Sequence, residues 1–302
     1  IQHGADATYM RRMAEMVRDR LNRHLRVYIE YSNETFNPDS ITYPQRAWVD
    51  GNGISLNLDS NTYVAGQKFY GLRSLEMFRI FDEVFGEQRT RVVKVFVGWM
   101  VTPETTDAVL SYMAQSENNP SGVRPSAVSI APYTGFFIAG AIIEAGTVAS
   151  TTVSQILDMA EANVVREQIN IGDNSTEESI LAMIQAHQAV ANRHNLSMVS
   201  YEGGQHIVQM NGNDNNVELG NKLIAANRHP RMYSIYHSLM DAWFNNGGGV
   251  FIAYTGALTP SVAWGSFGTV EYLGQDLSEA HKHRALLDYL AQLSSSQLTR
   301  NR

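Results

Sequence analysis

Two glutamates in this 302-residue chain stand immediately after apolar, β-branched runs. One closes the segment Tyr31-Ser32-Asn33-Glu34; the other opens Glu202-Gly203-Gly204-Gln205-His206, directly after Tyr201. A glutamate at the end of one strand is ordinarily a solvated or salt-bridged side chain. Two such ends, among residues rich in Tyr, Trp, Asn and His, suit a different chemistry. Sugar hydroxyls need amide and carboxylate partners, and sugar C–H faces stack on aromatic rings. Two carboxylates can divide glycoside hydrolysis between them, one protonating the leaving oxygen while the other attacks or activates water.

Several further residues bear on such a site. Tyr133 ends a third apolar run, and Tyr254 ends the last one, with Trp264 and Phe267 downstream. Trp99 closes the second run, where a ring either stacks on sugar or packs the top of the fold. His206 follows the Gly-Gly turn and could reach a ligand. Glu30 lies four residues before Glu34, so a strand period of two puts both on one face; Glu30 then either supports the site or pairs with an arginine such as Arg91. His281 and His283 fall on an expected surface helix and read as solvated. The oxygen-rich stretch 50–61 lacks the order and terminal Glu of a calcium loop, so turn chemistry is the better reading, and no metal site is expected. Asn174 and Asn195 open glycosylation sequons.

These residues need a frame. Leu25–Tyr31, Val92–Met100, Ala127–Tyr133, Leu196–Tyr201 and Gly249–Tyr254 each read as a buried strand. Helical periods lie between them. Met10, Met13, Val17 and Leu21 make one apolar face, and Leu75, Phe78, Phe81 and Phe85 another. Ser175 and Glu178 suggest a capping box opening a helix through His194. Two more helices are expected over Met232–Phe244 and Ser278–Leu293. Strands alternating with helices imply an α/β fold with parallel strands. The largest polar loops are expected at 37–61 and 210–216. No repeat or linker divides the chain, so a single domain over 1–302 is the simplest reading.

Composition narrows the field. The chain is 44% hydrophobic with a net charge of −7, which argues against disorder and against a nucleic-acid partner. It has no cysteine, so disulfides, thiolate metal sites and cysteine nucleophiles are excluded. No apolar run is long enough to span a membrane; the longest, 139–149, contains Glu144.

The pairing of Tyr-Ser-Asn-Glu at one strand end with Tyr-Glu-Gly-Gly-Gln-His at another resembles the clan A glycoside hydrolases, retaining enzymes on the (β/α)8 TIM barrel. Within that clan the chain is most similar to bacterial proteins often labelled cellulose-binding. The resemblance implies Glu34 as general acid/base and Glu202 as nucleophile. It implies that Asn33 hydrogen-bonds the sugar 2-hydroxyl and that Tyr133 orients Glu202. Trp99, His206, Tyr254 and Trp264 would contact substrate, a β-linked poly- or oligosaccharide, with no cofactor. Secretion is implied as well. Two departures change the aromatic surface: Phe36 replaces the family's Trp after Asn-Glu, and Trp264-Gly265-Ser266-Phe267-Gly268 replaces Tyr-Gly-Ser-Trp-Gly.

The alternative is a carbohydrate-binding or structural extracellular protein that keeps the barrel without turnover; retention of both glutamates favours the enzyme. In the clan, Asn-Glu ends strand four and the second Glu ends strand seven. On that register the chain carries strands four to eight, the C-terminal part of one barrel. Strands one to three, roughly 100 residues or more, are then expected upstream or on another chain that completes the barrel.

Overall fold

The computed structural model describes residues 1–39, 43–166, 168–170, 176–209 and 216–300. In chain order its elements are α1 (Ala7–Arg20), β1 (Val27–Glu30), α2 (Pro44–Ser55), α3 (Thr62–Phe85), β2 (Val92–Val97), α4 (Pro103–Ala114), β3 (Ala127–Ile130), β4 (Tyr133–Thr134), α5 (Ile138–Glu144) and α6 (Val153–Val165). There follow β5 (Gln168–Asn170), β6 (Thr176–Glu178), α7 (Ile180–Arg193), β7 (Ser197–Ser200), β8 (Gly204–Gln205), α8 (Val217–Arg228), α9 (Arg231–Phe244), β9 (Gly248–Phe251) and α10 (His281–Arg300). The fold is α/β, and its principal sheet is parallel with five strands. Each of the five expected apolar runs supplies one of them. Among the described residues no helix is long and apolar enough to cross a membrane.

The chain divides into two compact units, Ile1–Ile130 with His187–Val199, and Ala131–Ala186 with Ser200–Arg302. In the first, β1, β2 and β3 lie side by side in register, with Glu30 opposite Val95 and Val95 opposite Ala127. These strands are short and almost continuously apolar, as parallel strands covered by helices must be. Helix α3 covers them with Leu75, Phe78, Phe81 and Phe85, all buried as their spacing requires. Helix α1 buries Met10 and Ala14 completely, while Met13 and Val17 are only half covered. Ile1 lies along the outer edge of β1, donating to the Glu30 carbonyl at 2.7 Å and accepting from the Ser32 N–H at 2.5 Å.

The expected loop at 37–61 is largely helix. Its glycines and asparagines hid α2 from a propensity argument, yet two of those glycines make the helix possible. A Cβ on Gly53 would stand 2.2 Å from the Ala65 carbonyl oxygen, and one on Gly66 would stand 2.1 Å from Asp50 Oδ1. Glycine at both positions lets α2 and α3 touch backbone to backbone. The oxygen donors of this stretch are spent on ion pairs, Asp50 with Arg46 at 2.6 Å and Asp59 with Lys68 at 2.7 Å.

In the second unit, β4 and β8 form a short parallel pair, Tyr133 opposite Gly204 and Thr134 opposite Gln205. Helix α9 forms its core, burying Met232, Ile235, Tyr236, Leu239 and Trp243. Beside it Gly248 leaves room for the Trp243 ring, whose Nε1 donates to the Gly249 carbonyl at 3.0 Å. Helix α7 opens one turn later than expected. Ser179 caps it, its hydroxyl accepting from the Ala182 N–H at 3.2 Å, while Glu178 belongs to β6. Ser175, Asn174 and most of the expected polar loop at 210–216 lie outside the described residues. Helix α10 likewise begins at His281 rather than Ser278.

The α2–α3 contact is testable with two neighbouring glycines. A Cβ on Gly51 meets nothing within 4 Å, so Gly51→Ala should stabilise the protein by about 0.5–1 kcal/mol through helix propensity. Gly53→Ala should instead cost about 2 kcal/mol, because backbone must give way. Urea unfolding of the two variants distinguishes them by sign.

Candidate functional site

Strand β1 ends at Glu30, and the chain then turns sharply. Ser32 has φ 63° and Glu34 has φ 43°, left-handed conformations that non-glycine residues rarely adopt. The two-residue alternation expected to place Glu30 and Glu34 on one face therefore stops at the strand end. Arg91 is spent elsewhere: it donates to the carbonyls of Leu21, Asn22 and Leu25 and to Gln88.

What holds the turn is a set of side chains from α2 and α3. Gln45 Nε2 donates to the Asn33 carbonyl at 2.5 Å, Gln67 Nε2 to the Thr35 carbonyl at 3.1 Å, and Arg46 Nη1 to the Phe36 carbonyl at 2.7 Å. Three carbonyls within four residues thus receive donors from outside the turn. Glu34 itself is buried, and Asn37 closes over it, donating Nδ2 to Glu34 Oε2 at 2.8 Å while its backbone N–H meets the Glu34 carbonyl. Asn33 points into solvent.

Trp99 belongs to the same unit. Its ring stacks on Phe36 at 5.8 Å with planes 10° apart and meets the edge of Tyr63 at 6.2 Å. Arg46 lies over the Tyr63 ring at 4.7 Å. Phe36, two residues after Glu34, is therefore itself stacked. His187, fully buried on α7, holds the segment after Trp99 through a hydrogen bond between its Nε2 and the Met100 carbonyl at 3.1 Å. Burial pushes the His187 imidazole down to about 4.

In the second unit the Glu202 segment is laid down residue by residue. Ser200 Oγ donates to the Glu202 carbonyl at 2.7 Å, and the Tyr254 N–H donates to the Gly203 carbonyl at 2.9 Å. The His206 N–H reaches the Thr134 carbonyl at 2.7 Å. Glycine is required at 203, where a Cβ would lie 2.8 Å from the Phe251 ring, and at 204, where φ is 144° and the Tyr236 hydroxyl closes in. Behind Tyr133, buried Asn163 accepts from Thr134 Oγ1 at 3.1 Å and from the Gly135 N–H at 2.8 Å.

The outcome is an aromatic cluster around His206. Tyr133, Phe136 and Phe267 lie 5.4, 4.9 and 5.2 Å from its ring, and Tyr254 lies 5.5 Å from Phe267. His206 Nδ1 is buried without a hydrogen-bond partner among the described residues, and burial pushes the ring down to about 4. A neutral imidazole walled by rings can exchange hydrogen bonds with a hydroxyl-rich ligand without carrying charge. Trp264 stands apart from these rings and is 77% exposed.

Of the expected site residues, then, Tyr133, His206 and Tyr254 share one cluster with the Glu202 segment, while Glu34 and Trp99 meet through Phe36 in the first unit. Asn37, Gln45, Arg46, Gln67 and Phe136 were not expected. Only the Asn-Pro-Asp turn chemistry at 37–39 hinted at any of them. The chain matches no family model, no curated protein sequence and no solved structure.

The two buried histidines make stability depend on pH. Each titrates near 6.5 when unfolded and near 4 when folded. Between those values the unfolded chain binds more protons, so stability present above pH 6.5 is lost as pH falls toward 4. The loss should approach about 3 kcal/mol per ring. Urea unfolding of wild type and His187→Gln at pH 7.5 and 4.5 should show a smaller acid loss in the variant.

Proposed function

We propose that this protein is a retaining glycoside hydrolase acting on a β-linked poly- or oligosaccharide, with Glu34 as general acid/base and Glu202 as nucleophile. The observation that carries the reading is the treatment of the two glutamate segments. Each leaves a strand of the principal sheet through a turn built at evident cost, in left-handed residues on one side and in a double glycine on the other. Each is also accompanied by aromatic rings, Phe36 with Trp99 beside one and Tyr133 with His206 beside the other.

In this mechanism Glu34 gives its proton to the glycosidic oxygen while Glu202 attacks the anomeric carbon, forming a glycosyl-enzyme ester. Glu34 then takes a proton from the water that hydrolyses the ester. Asn37, donating to Oε2 of Glu34, orients the carboxyl that transfers the proton. Asn33, exposed beside Glu34, is available to the 2-hydroxyl. As candidates for sugar contact we assign Trp99 in the first unit and Tyr133, His206, Tyr254 and Trp264 in the second.

The finer architecture we propose is the arc of strands four to eight of a (β/α)8 barrel. The sheet strands follow chain order, as barrel strands do. Leu25 and Tyr28 beside β1, and Val250 and Ile252 at β9, are apolar and about half exposed, which suits edges that further strands would cover. We place such an enzyme outside the cell, where polymeric glycans are met.

Glu202→Ala should lower turnover of aryl β-glycosides and β-linked oligosaccharides by at least about a thousandfold. Azide should restore it, giving a glycosyl azide of inverted anomeric configuration. Glu34→Ala should spare substrates with good leaving groups far more than those with poor ones. A wild-type protein that binds one of these glycans and hydrolyses none is instead the carbohydrate-binding protein.

A further inference from the structure

Lys282 is 6% exposed in the basic first turn of α10, His281-Lys282-His283-Arg284. Its Nζ donates to the Ser266 carbonyl at 2.5 Å and to Asn227 Oδ1 at 3.1 Å. The Ser266 carbonyl accepts a second donor, Gln205 Nε2, at 2.9 Å. Gln205 is itself immobilised, its Oε1 accepting from the Ile207 N–H and its own N–H donating to Tyr236.

The loop so clamped is braced elsewhere too. Gln209 Nε2 donates to the Val262 carbonyl at 3.0 Å, and Ser261 and Gly265 exchange backbone hydrogen bonds at 2.8 and 2.9 Å. Gly265 has φ 79°, and a Cβ there would press on Val208. At the tip sits Trp264, its N–H held by Ser261 Oγ at 3.1 Å and its ring largely in solvent. Phe267 follows the clamped carbonyl and enters the aromatic cluster around His206. A large exposed ring on a loop fixed at both shoulders is a binding feature more readily than a packing one. The stretch 256–270 contains no charged residue, so it suits a neutral, flat-faced ligand.

A buried ammonium is a poor stabiliser, since methionine would fill the same space without desolvating a charge. Its role lies in what it holds. We propose that Lys282 is a positioning residue for glycan binding, setting through the Ser266 carbonyl the loop that offers Trp264 and Phe267 to the sugar chain. The glycan rests on the hydrolase reading above; the clamp does not.

Burial pushes the Lys282 ammonium down to about 7, opposed by the charge of Glu271. Glu271 is held by Arg228 at 2.6 and 2.8 Å. Glu279 and His281 line the same hollow, and His283 meets Thr269 Oγ1 at 3.3 Å. Arg284 and His229 act on His281 in turn. Loss of the proton through pH 7 weakens the hydrogen bond to Ser266.

Two measurements test this. In 1H–15N spectra recorded from pH 6 to 9, the Trp264 indole signal, assigned with Trp264→Phe, and the Phe267 amide should move together with a midpoint near 7. Lys282→Met should abolish that midpoint with no fall in melting temperature. A midpoint that persists in Lys282→Met belongs to a neighbouring histidine and overturns the clamp. Binding is measured at pH 6.5 by calorimetry with cellohexaose, xylohexaose and laminarihexaose, in a Glu202→Ala background that cannot turn them over. Lys282→Met should weaken the best of these about tenfold; equal affinity in a folded variant overturns the proposal. If no hexasaccharide binds while the midpoint is present, the glycan is wrong and the clamp stands.

Discussion

Strands that end inside a protein leave backbone carbonyls and N–H groups with no ladder to join, and each must find a partner or cost several kcal/mol. The candidate site is organised around that constraint. After β1 the carbonyls of Asn33, Thr35 and Phe36 are met by Gln45, Gln67 and Arg46. After β7 the carbonyls of Glu202 and Gly203 are met by Ser200 and by the Tyr254 N–H. On the loop beyond β9 the Ser266 carbonyl is met by Gln205 and Lys282. Irregular backbone is thereby made rigid, which a site on loops requires.

The same constraint explains why helices distant in sequence from Glu34 matter to it. Gln45 and Arg46 ride on α2, and Gln67 rides on α3. Their reach is set by how closely those helices approach, and Gly53 and Gly66 set that approach. Packing and site geometry are one problem here, since a wider helix spacing would withdraw the amides from the carbonyls they cap.

The two units solve the electrostatic side alike. Aromatic rings pack beside both glutamate segments, and His187 and His206 are kept neutral by desolvation. Where a charge is buried, as at Lys282, its donors go to oxygens that need them.

Much of this was readable in the residues. Parallel strands read as continuous apolar runs, and all five were found within two or three residues of their ends, but the burial expected of each fails at β1 and β9, which are half exposed. Strong helical periods marked α1, α3, α9 and α10. Helix α2 was not legible, because glycines that disfavour a helix locally are there to let another helix approach. Nor was the turn at Ser32 and Glu34, where an alternating pattern continues in sequence after the strand has stopped in space.

Residue order and chemistry therefore determined the α/β class and the strands, since these follow from local period and composition. Only the tertiary structure decided how those residues are held. Lys282 meets Asn227 across 55 residues, and Gln67 meets Thr35 across 32. A polar side chain shows no preference in sequence for the distant carbonyl that folding will leave unpaired.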